Sequence, residues 1–156
     1  MPFSIRNPMH TNNIKAHEAA IKCRCTSINK NDYSKITVLI IEPGKEPYIK
    51  NISPSLESMQ AEVNGLIQVI YPFEDPISLI CNEEAKLLNM PLNRALYDEC
   101  GNIYDIISGT FILAGFSCDS FTSLSSSQID KYRKLFNKNE YFAIFDGKII
   151  ILPFPI

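Results

Sequence analysis

The sequence lacks the residues that most familiar catalytic motifs require. It contains only two histidines, His10 and His17, and both precede the apolar segments that could form a core. It has no glycine-rich phosphate loop, no nucleophile elbow and no Cys-x-x-Cys pair. A histidine-based triad or metal centre would have to recruit these N-terminal histidines, so we predict no catalytic residues, no metal and no other cofactor.

Charge and hydropathy argue against two further classes of partner. Lysine and arginine number 15 against 17 aspartates and glutamates, a net charge of −2. Binding to a nucleic-acid backbone normally needs a basic face, so we expect no nucleic-acid partner. No apolar run approaches the roughly 18 residues of a membrane span, and the N-terminus lacks the continuous apolar core of a secretory signal. We therefore expect no membrane partner and a cytoplasmic location.

The cysteines are odd in number and irregularly spaced. In a chain without an export signal, this pattern favours free thiols in a reducing compartment. Cys23 and Cys25 could form half of a metal site, but no second pair of ligands follows at a suitable spacing. The five cysteines are Cys23, Cys25, Cys81, Cys100 and Cys118.

Length and composition predict one core domain with an N-terminal appendage. The chain has 156 residues, of which 46% are hydrophobic, as in ordinary globular proteins. Residues 1–35 are polar and too few to bury a core of their own. They form the appendage, with a possible helix from Thr11 or Asn12 to about Lys22. Residues 36–156 form the domain, including a C-terminal hairpin.

Hydrophobic patterning in residues 36–156 predicts an α+β fold. One helix is capped by Ser55 and ends at Asn64-Gly65. A second is capped by Ser123 or Ser125, with Gln128 at the capping-box spacing from Ser125. Asp146-Gly147 predicts a type I′ turn in the hairpin. We expect a mixed, mostly antiparallel sheet of five or six strands with two main helices packed on it. Strands are predicted at 36–41, 48–52, 66–71 and 77–81, through 106–113, and in the hairpin at 141–154.

The candidate site is the stretch from Pro76 to Tyr97, where polar side chains follow a probable buried strand. Ligands are commonly met at strand ends and in the loops beyond them. Lys86 could contact a phosphate as a point charge and Arg94 as a bidentate donor. For each residue the alternative is a structural role, such as a helix cap at Asn82 or a surface ion pair at Arg94.

A second polar group follows at residues 105–110. Asp105 either holds Lys86 or Arg94 as a carboxylate at a strand end, or caps a turn. Gly109 marks a possible bulge or a close approach of backbone. Together the two groups supply the predicted ligand-binding residues, which are Asn82, Glu83, Lys86, Asn93, Arg94, Asp105 and Thr110.

Several segments in order carry a family resemblance: IIEPGK (40–45), SLESMQAEVNGLI (55–67), CNEEAKLLNMPLNRAL (81–96) and IYDIISGTFILAG (103–115). With FTSLSSSQIDKYRKLF (121–136), they resemble a family of small domains of unknown function carried by phages, plasmids and related mobile elements of Gram-positive bacteria. The resemblance covers about residues 36–142. It implies a bacterial host cytosol and, by analogy of gene context, a role in counteracting host defence.

Three functions remain open. The first is a non-enzymatic protein, either monomeric or homo-oligomeric, that sequesters a small, anionic, nucleotide-like immune signal of the host. The second is a small hydrolase acting on such a signal, with Glu83 or Glu84 as general base together with Asp105. The third is a direct protein-protein inhibitor of a host defence factor, using the apolar C-terminal hairpin. The polar cluster lacks a nucleophile-base pair, so we favour binding over turnover.

Overall fold

A computed structural model of the chain describes residues 35–138 and 140–152. The predicted appendage, its helix, and Cys23 and Cys25 lie outside these residues, apart from Lys35. No helix within the described ranges has the length and apolar character needed to cross a membrane. The described elements are β1 (Ile36–Ile41), β2 (Tyr48–Ile52), α1 (Leu56–Val63), β3 (Ile67–Ile70), β4 (Ile77–Asn82), β5 (Leu92–Tyr97), β6 (Ile103–Ser108), β7 (Phe111–Ser117), β8 (Ser120–Thr122), α2 (Ser126–Phe136), β9 (Tyr141–Phe145) and β10 (Lys148–Leu152).

The main sheet has six strands in the order β2-β1-β7-β4-β3, with β8 also paired to β7. All of its pairings are antiparallel. The continuously apolar runs form inner strands, because β1 and β4 are covered on both faces and are buried almost throughout. The short, largely exposed β2 lies at one edge, as its mixed sequence predicts.

Each face of the main sheet carries its own apolar layer. On one face, Val38, Ile40 and Ile112 pack with Met59 and Val63 of α1. The alternate residues of the same strands point to the other face. There they pack against α2 and the β5–β6 ribbon in a second cluster, formed by Leu39, Ile41, Ile77, Leu79, Cys81, Leu96, Ile107, Phe111, Leu113, Leu124, Tyr132 and Phe136.

Both predicted helix starts are confirmed at atomic level. The Ser55 hydroxyl accepts a hydrogen bond from the backbone N–H of Ser58 at 3.2 Å. Ser125 and Gln128 form a complete capping box at the start of α2. At the end of α1, Asn64 has φ 59° and ψ 43°, the left-handed conformation that commonly terminates a helix.

The C-terminal hairpin also forms as predicted. Asp146 and Gly147 have φ of 51° and 72°, as a type I′ turn requires, and β9 pairs with β10 in an antiparallel ribbon. This ribbon leaves large apolar side chains exposed, among them Ile144, Phe145 and Ile149.

The prediction of an α+β fold with mostly antiparallel sheet is confirmed, and its count of five or six strands matches the main sheet but not the whole set of strands. Beside the six-stranded sheet, the described residues contain two separate two-stranded ribbons, β5–β6 and β9–β10. The patterning failed to predict strands β5 and β8, and it predicted one strand through 106–113 where the structure has β6 and β7. The pairing of β5 with β6 shifts register between Leu92 and Arg94, which is a β-bulge at Asn93. A bulge interrupts the alternation on which strand prediction depends.

Candidate functional site

Residues 83–89, which follow β4, form a compact turn. Asn82 Oδ1 accepts a hydrogen bond from the N–H of Glu84 at 2.8 Å, and the Leu88 N–H donates to Glu84 O at 2.9 Å. The structure has a series of turns here, with one hydrogen bond of the helical i to i−4 type. The left-handed conformation of Asn89, with φ 52°, ends the segment and leads through Met90 into β5.

The β5–β6 ribbon lies opposite this turn. The loop between β5 and β6 is stabilised by Asp98. Its Oδ1 accepts hydrogen bonds from the N–H groups of Cys100 at 2.9 Å and Asn102 at 2.8 Å. The return strand β6 then presents Asp105 and Ser108 beside the turn. This turn at residues 98–102 determines which residues of β6 lie beside the end of β4.

A cleft of about 530 Å³ opens between the turn and β6. This volume falls within the range typical of sites for small molecules, about 300–1,000 Å³. Its walls are mainly apolar, with a few polar groups. It is lined by Lys86, Asn89, Met90, Leu92, Ile103, Tyr104, Asp105, Ile106, Ser108 and Ile149.

Lys86 and Asp105 form an ion pair across this cleft. Lys86 Nζ lies 2.7 Å from Asp105 Oδ1, and the two side chains are 65% and 24% exposed. Asp105 Oδ1 also accepts a hydrogen bond from the backbone N–H of Ile106 at 2.8 Å. Of the two cations that Asp105 was predicted to hold, the structure selects Lys86. Because exposed ion pairs contribute little net stability, a ligand can exchange with either partner at small cost.

A smaller recess of about 100 Å³ lies on the other side of the ion pair. Lys86, Asp105, Ile106 and Ser108 line both spaces, so they form the boundary between them. The exposed Glu83 lines the recess as well. The structure therefore brings Glu83, Lys86 and Asp105 to one place, as predicted from the sequence.

Asn82 lines the same recess, but its side chain is already committed. It is 4% exposed, and its Nδ2 donates to the carbonyls of Val63 at 3.1 Å and Asn64 at 3.2 Å. These carbonyls end α1 and have no partner within the helix. Asn82 thus joins the end of α1 to the turn, a structural role that the sequence alternative of a cap anticipated.

Asn93 and Arg94 lie in β5, outside the cleft lining, and are buried. Asn93 Nδ2 donates to Ile41 O at 2.8 Å and to Gly109 O at 2.7 Å. Arg94 donates from Nε to Phe136 O at 3.1 Å. Its Nη2 donates to Lys45 O at 2.7 Å.

The two side chains also bond to each other, since Arg94 Nη1 donates to Asn93 Oδ1 at 2.8 Å. The bulge at Asn93 explains why consecutive residues both point inward. Direct contact of Arg94 with a phosphate would require these hydrogen bonds to break. We therefore assign Asn93 and Arg94 a structural role, which corrects their interpretation as surface ligands.

Burial lowers the pKa of the Arg94 guanidinium, and the nearby negative charge of Glu140 partly offsets this effect. The group remains charged, since an arginine pKa starts far above neutrality. Glu140 itself accepts a hydrogen bond at Oε2 from the Ala95 N–H at 2.7 Å. A buried cation is thus balanced by backbone carbonyls and a carboxylate, as burial of a charge requires.

Thr110 follows the turn between β6 and β7 and is not among the described residues that line the cleft or the recess. The preceding Gly109 has φ 72°, and its N–H donates to Pro91 O at 2.7 Å. A Cβ at position 109 would lie 2.9 Å from Met90 Sδ. The predicted close approach at Gly109 is therefore present, and it positions one wall of the cleft.

The sequence did not indicate the apolar walls of the cleft. Met90, Leu92, Ile103, Tyr104 and Ile149 come from three separate parts of the chain. Each is of a residue type that is common in protein cores. The partial exposure of Ile103 and Ile149 becomes visible only after folding.

Two further observations concern a metal site and a cysteine nucleophile. Among residues 35–138 and 140–152, no group of three or more His, Cys, Asp and Glu side chains is placed to hold a metal ion. Cys81 lines the small recess, but burial raises the pKa of its thiol to about 11. The thiol is neutral near pH 7, and a neutral thiol is a poor nucleophile.

A search of curated proteins and a search of solved structures each returned no match. A comparison with protein families matched residues 36–137, from the start of β1 to the end of α2, which is more than half of the chain. The chain therefore belongs to the family described as a domain of unknown function (DUF3846).

Proposed function

We propose that this protein binds a small, anionic, nucleotide-like ligand in the cleft between the turn after β4 and strand β6. The observation that carries the proposal is the cleft itself, about 530 Å³ with mainly apolar walls and an exposed lysine at its boundary. Apolar and aromatic walls with a few polar groups are typical of sites for small organic molecules.

The cleft offers a suitable group for each part of such a ligand. Tyr104, Met90 and Ile149 supply apolar surface for a planar base. Lys86 would release Asp105 and contact a phosphate, while Asp105 and Ser108 would accept hydrogen bonds from hydroxyl groups. In this assignment Lys86 is the residue that recognises the negative charge of the ligand. Asn82, Asn93 and Arg94 hold the elements around the cleft.

Binding without turnover is the activity that these groups support best. The cleft contains neither a low-pKa nucleophile nor a histidine among its described lining residues. The biological role that we propose is sequestration of a nucleotide immune signal of a bacterial host by a protein of phage or mobile-element origin. This role derives from the resemblance of the sequence segments to domains carried by such elements.

Native mass spectrometry of the full chain tests the proposal. The protein is incubated with defined mono-, di- and cyclic nucleotides and with nucleotide extracts of bacteria whose defences have been induced. We expect a stoichiometric adduct that survives desalting and is released intact on heating. Absence of any adduct across the defined set and the extracts would overturn the proposal.

Hydrolysis of the same ligand is the second candidate. The observation that favours it is the shared placement of Glu83 and Asp105 around the recess of about 100 Å³. Two carboxylates in one recess can act as general base and acid when one pKa is raised. Recovery of a cleaved product from the wild type, and of intact ligand from Glu83→Gln, would support hydrolysis. Intact ligand from both proteins would exclude it.

A further inference from the structure

A second pocket shares Tyr104 with the cleft and differs from it in both size and charge. Its volume is about 280 Å³, roughly half that of the cleft. It is formed by the connection before β4, by strand β5 and by helix α2, and Tyr104 contributes to both spaces. The proposal made for the cleft does not use this pocket.

Aromatic rings form the walls of the second pocket. The rings of Phe73 and Tyr132 lie 4.6 Å apart between centroids, and those of Phe73 and Phe136 lie 6.1 Å apart. Tyr97 also lines the pocket and is 45% exposed. The face of an aromatic ring carries partial negative charge, so walls of this kind favour cations.

Carboxylates surround the same space. Glu74, Glu99 and Glu140 all line it. Lys131 is the cation among its described lining residues, and its Nζ is paired with Asp75 Oδ2 at 2.7 Å. Glu140 offsets the buried charge of Arg94, and Lys131 is paired with Asp75. Glu74 and Glu99 therefore remain as the negative charges of the pocket, which is suited to positive charge and unsuited to a phosphate or a carboxylate.

The pocket is held in shape before any ligand arrives. Glu140 accepts hydrogen bonds from the Ala95 N–H at 2.7 Å and from the Tyr97 hydroxyl at 3.3 Å. The Tyr132 hydroxyl donates to Asp75 Oδ2 at 2.6 Å. These bonds fix two rings and one carboxylate, and a site with fixed groups loses less entropy when it binds.

The protein already places an ammonium group against one of these rings. Lys131 Nζ lies 5.4 Å from the centroid of the Tyr132 ring, within the distance of a cation-π interaction. One ring of the pocket wall thus already makes a cation-π contact with a lysine of the same chain.

We propose that this pocket binds an organic cation of the alkylammonium or guanidinium class. The aromatic walls would contact the alkyl part and the charged face of the cation, and Glu74 and Glu99 would supply the opposite charge at the entrance. A volume of about 280 Å³ accommodates one such group on a short alkyl chain. The site is separate from the nucleotide cleft and stands whether or not the cleft binds a nucleotide.

The test is a titration of the isotopically labelled full chain, followed by NMR chemical shifts. The probes are n-butylammonium, n-butylguanidinium and, as a neutral probe of similar size, n-butylurea. We expect saturable shifts at Tyr97, Glu99 and Lys131 with both cations, and far weaker binding of the urea. Equal binding of the neutral probe, or no saturable shift with either cation, would overturn the proposal.

Three variants separate a specific site from general attraction of cations. Tyr97→Leu keeps an apolar side chain but removes the ring, so we expect about a fivefold loss of affinity. Glu99→Gln removes one charge at the entrance, with an expected loss of about threefold at low salt. Glu46→Gln makes the same charge change at an exposed position outside the pocket lining and should leave affinity unchanged. An equal loss in Glu46→Gln and Glu99→Gln would contradict a defined site, and folding of each variant is checked in the same spectra.

Discussion

Two polar pairs from the same part of the chain have opposite environments. Lys86 and Asp105 pair at the boundary of an open cleft, and the lysine side chain is 65% exposed. Asn93 and Arg94 pair inside the protein, where Arg94 is 1% exposed. Both lysine and arginine are suited to phosphate binding. The surroundings of these two cations, more than their chemistry, therefore decide which of them a ligand can reach.

The buried pair satisfies carbonyl groups at the ends of several elements. Asn93 donates to the carbonyl of Ile41 at the end of β1. Arg94 donates to the carbonyls of Lys45 in the next turn and of Phe136 at the end of α2. Carbonyls at such ends have no partner within their own element, and leaving them unpaired inside the protein is costly. The pair therefore fastens the β5–β6 ribbon to the main sheet and α2.

The largest effect that we predict is at Arg94. Arg94→Ala removes the donors that Phe136 O and Lys45 O receive, and it leaves Asn93 Oδ1 without this partner. We expect the free energy of unfolding to fall by about 3–5 kcal/mol, as for the loss of one partner from a buried charged network. Urea denaturation measures the change.

Arg94→Lys provides the matched test of geometry, because it keeps the charge but loses the fork of donors. It should also destabilise the protein, by about 2 kcal/mol or more. A protein that tolerates both substitutions with less than about 1 kcal/mol of loss would show that Arg94 is not a structural residue.

The next effect is expected at Asn93. Asn93→Ala leaves the carbonyls of Ile41 and Gly109 without the donor that each receives from Nδ2. Unpaired buried groups cost about 1–3 kcal/mol each, so we expect a loss of about 2–3 kcal/mol by urea denaturation. Arg94→Ala combined with Asn93→Ala should cost less than the sum of the single changes, because the two side chains are bonded. Strict additivity would contradict a shared network.

Substitution of the partly exposed Asp75 is expected to have an effect between those at the buried pair and at the exposed pair. Hydrogen bonds from Lys131 and Tyr132 lower the pKa of Asp75. A lowered pKa stabilises the fold above the unfolded value of about 4 and loses this effect as pH falls through the folded pKa. We therefore expect Asp75→Asn to be less stable than the wild type by about 1 kcal/mol at pH 7, a difference that disappears near pH 2. A difference that stays constant over this range of pH would exclude the ionic contribution.

The smallest effect on stability is predicted at the exposed pair. Lys86→Gln should change the free energy of unfolding by no more than about 0.5 kcal/mol, since exposed ion pairs contribute little. Lys50→Gln is the matched control, because Lys50 pairs with Glu62 at 2.6 Å and is also exposed. If Lys86→Gln destabilised the protein as much as Arg94→Ala, the contrast between the two pairs would be wrong.

The fold was predictable wherever local patterning is strong. The apolar run at 36–41, the serine caps of both helices and the Asp146-Gly147 turn each determine their element from a few adjacent residues. Strand β5 was not predictable in this way. It begins after Pro91 and contains a bulge that turns Asn93 and Arg94 inward together, so it lacks the alternation of an ordinary strand.

The residues that the sequence grouped as a candidate site come together only in part. Glu83, Lys86 and Asp105 meet as expected, although 19 residues separate Lys86 from Asp105. The roles of Asn93 and Arg94 depend on carbonyl groups from distant elements, which no local pattern in the sequence reveals. The apolar walls are likewise a consequence of tertiary packing.

The most direct test of the central claim compares ligand binding by the wild type, Lys86→Gln and Lys50→Gln in native mass spectrometry, at equal concentrations of protein and nucleotide. We predict that Lys86→Gln remains folded but loses affinity by about tenfold, as expected for one charge-assisted contact, and that Lys50→Gln binds as the wild type does. Equal affinity of all three proteins, or an equal loss in both variants, would contradict the assignment of the exposed cleft as the binding site.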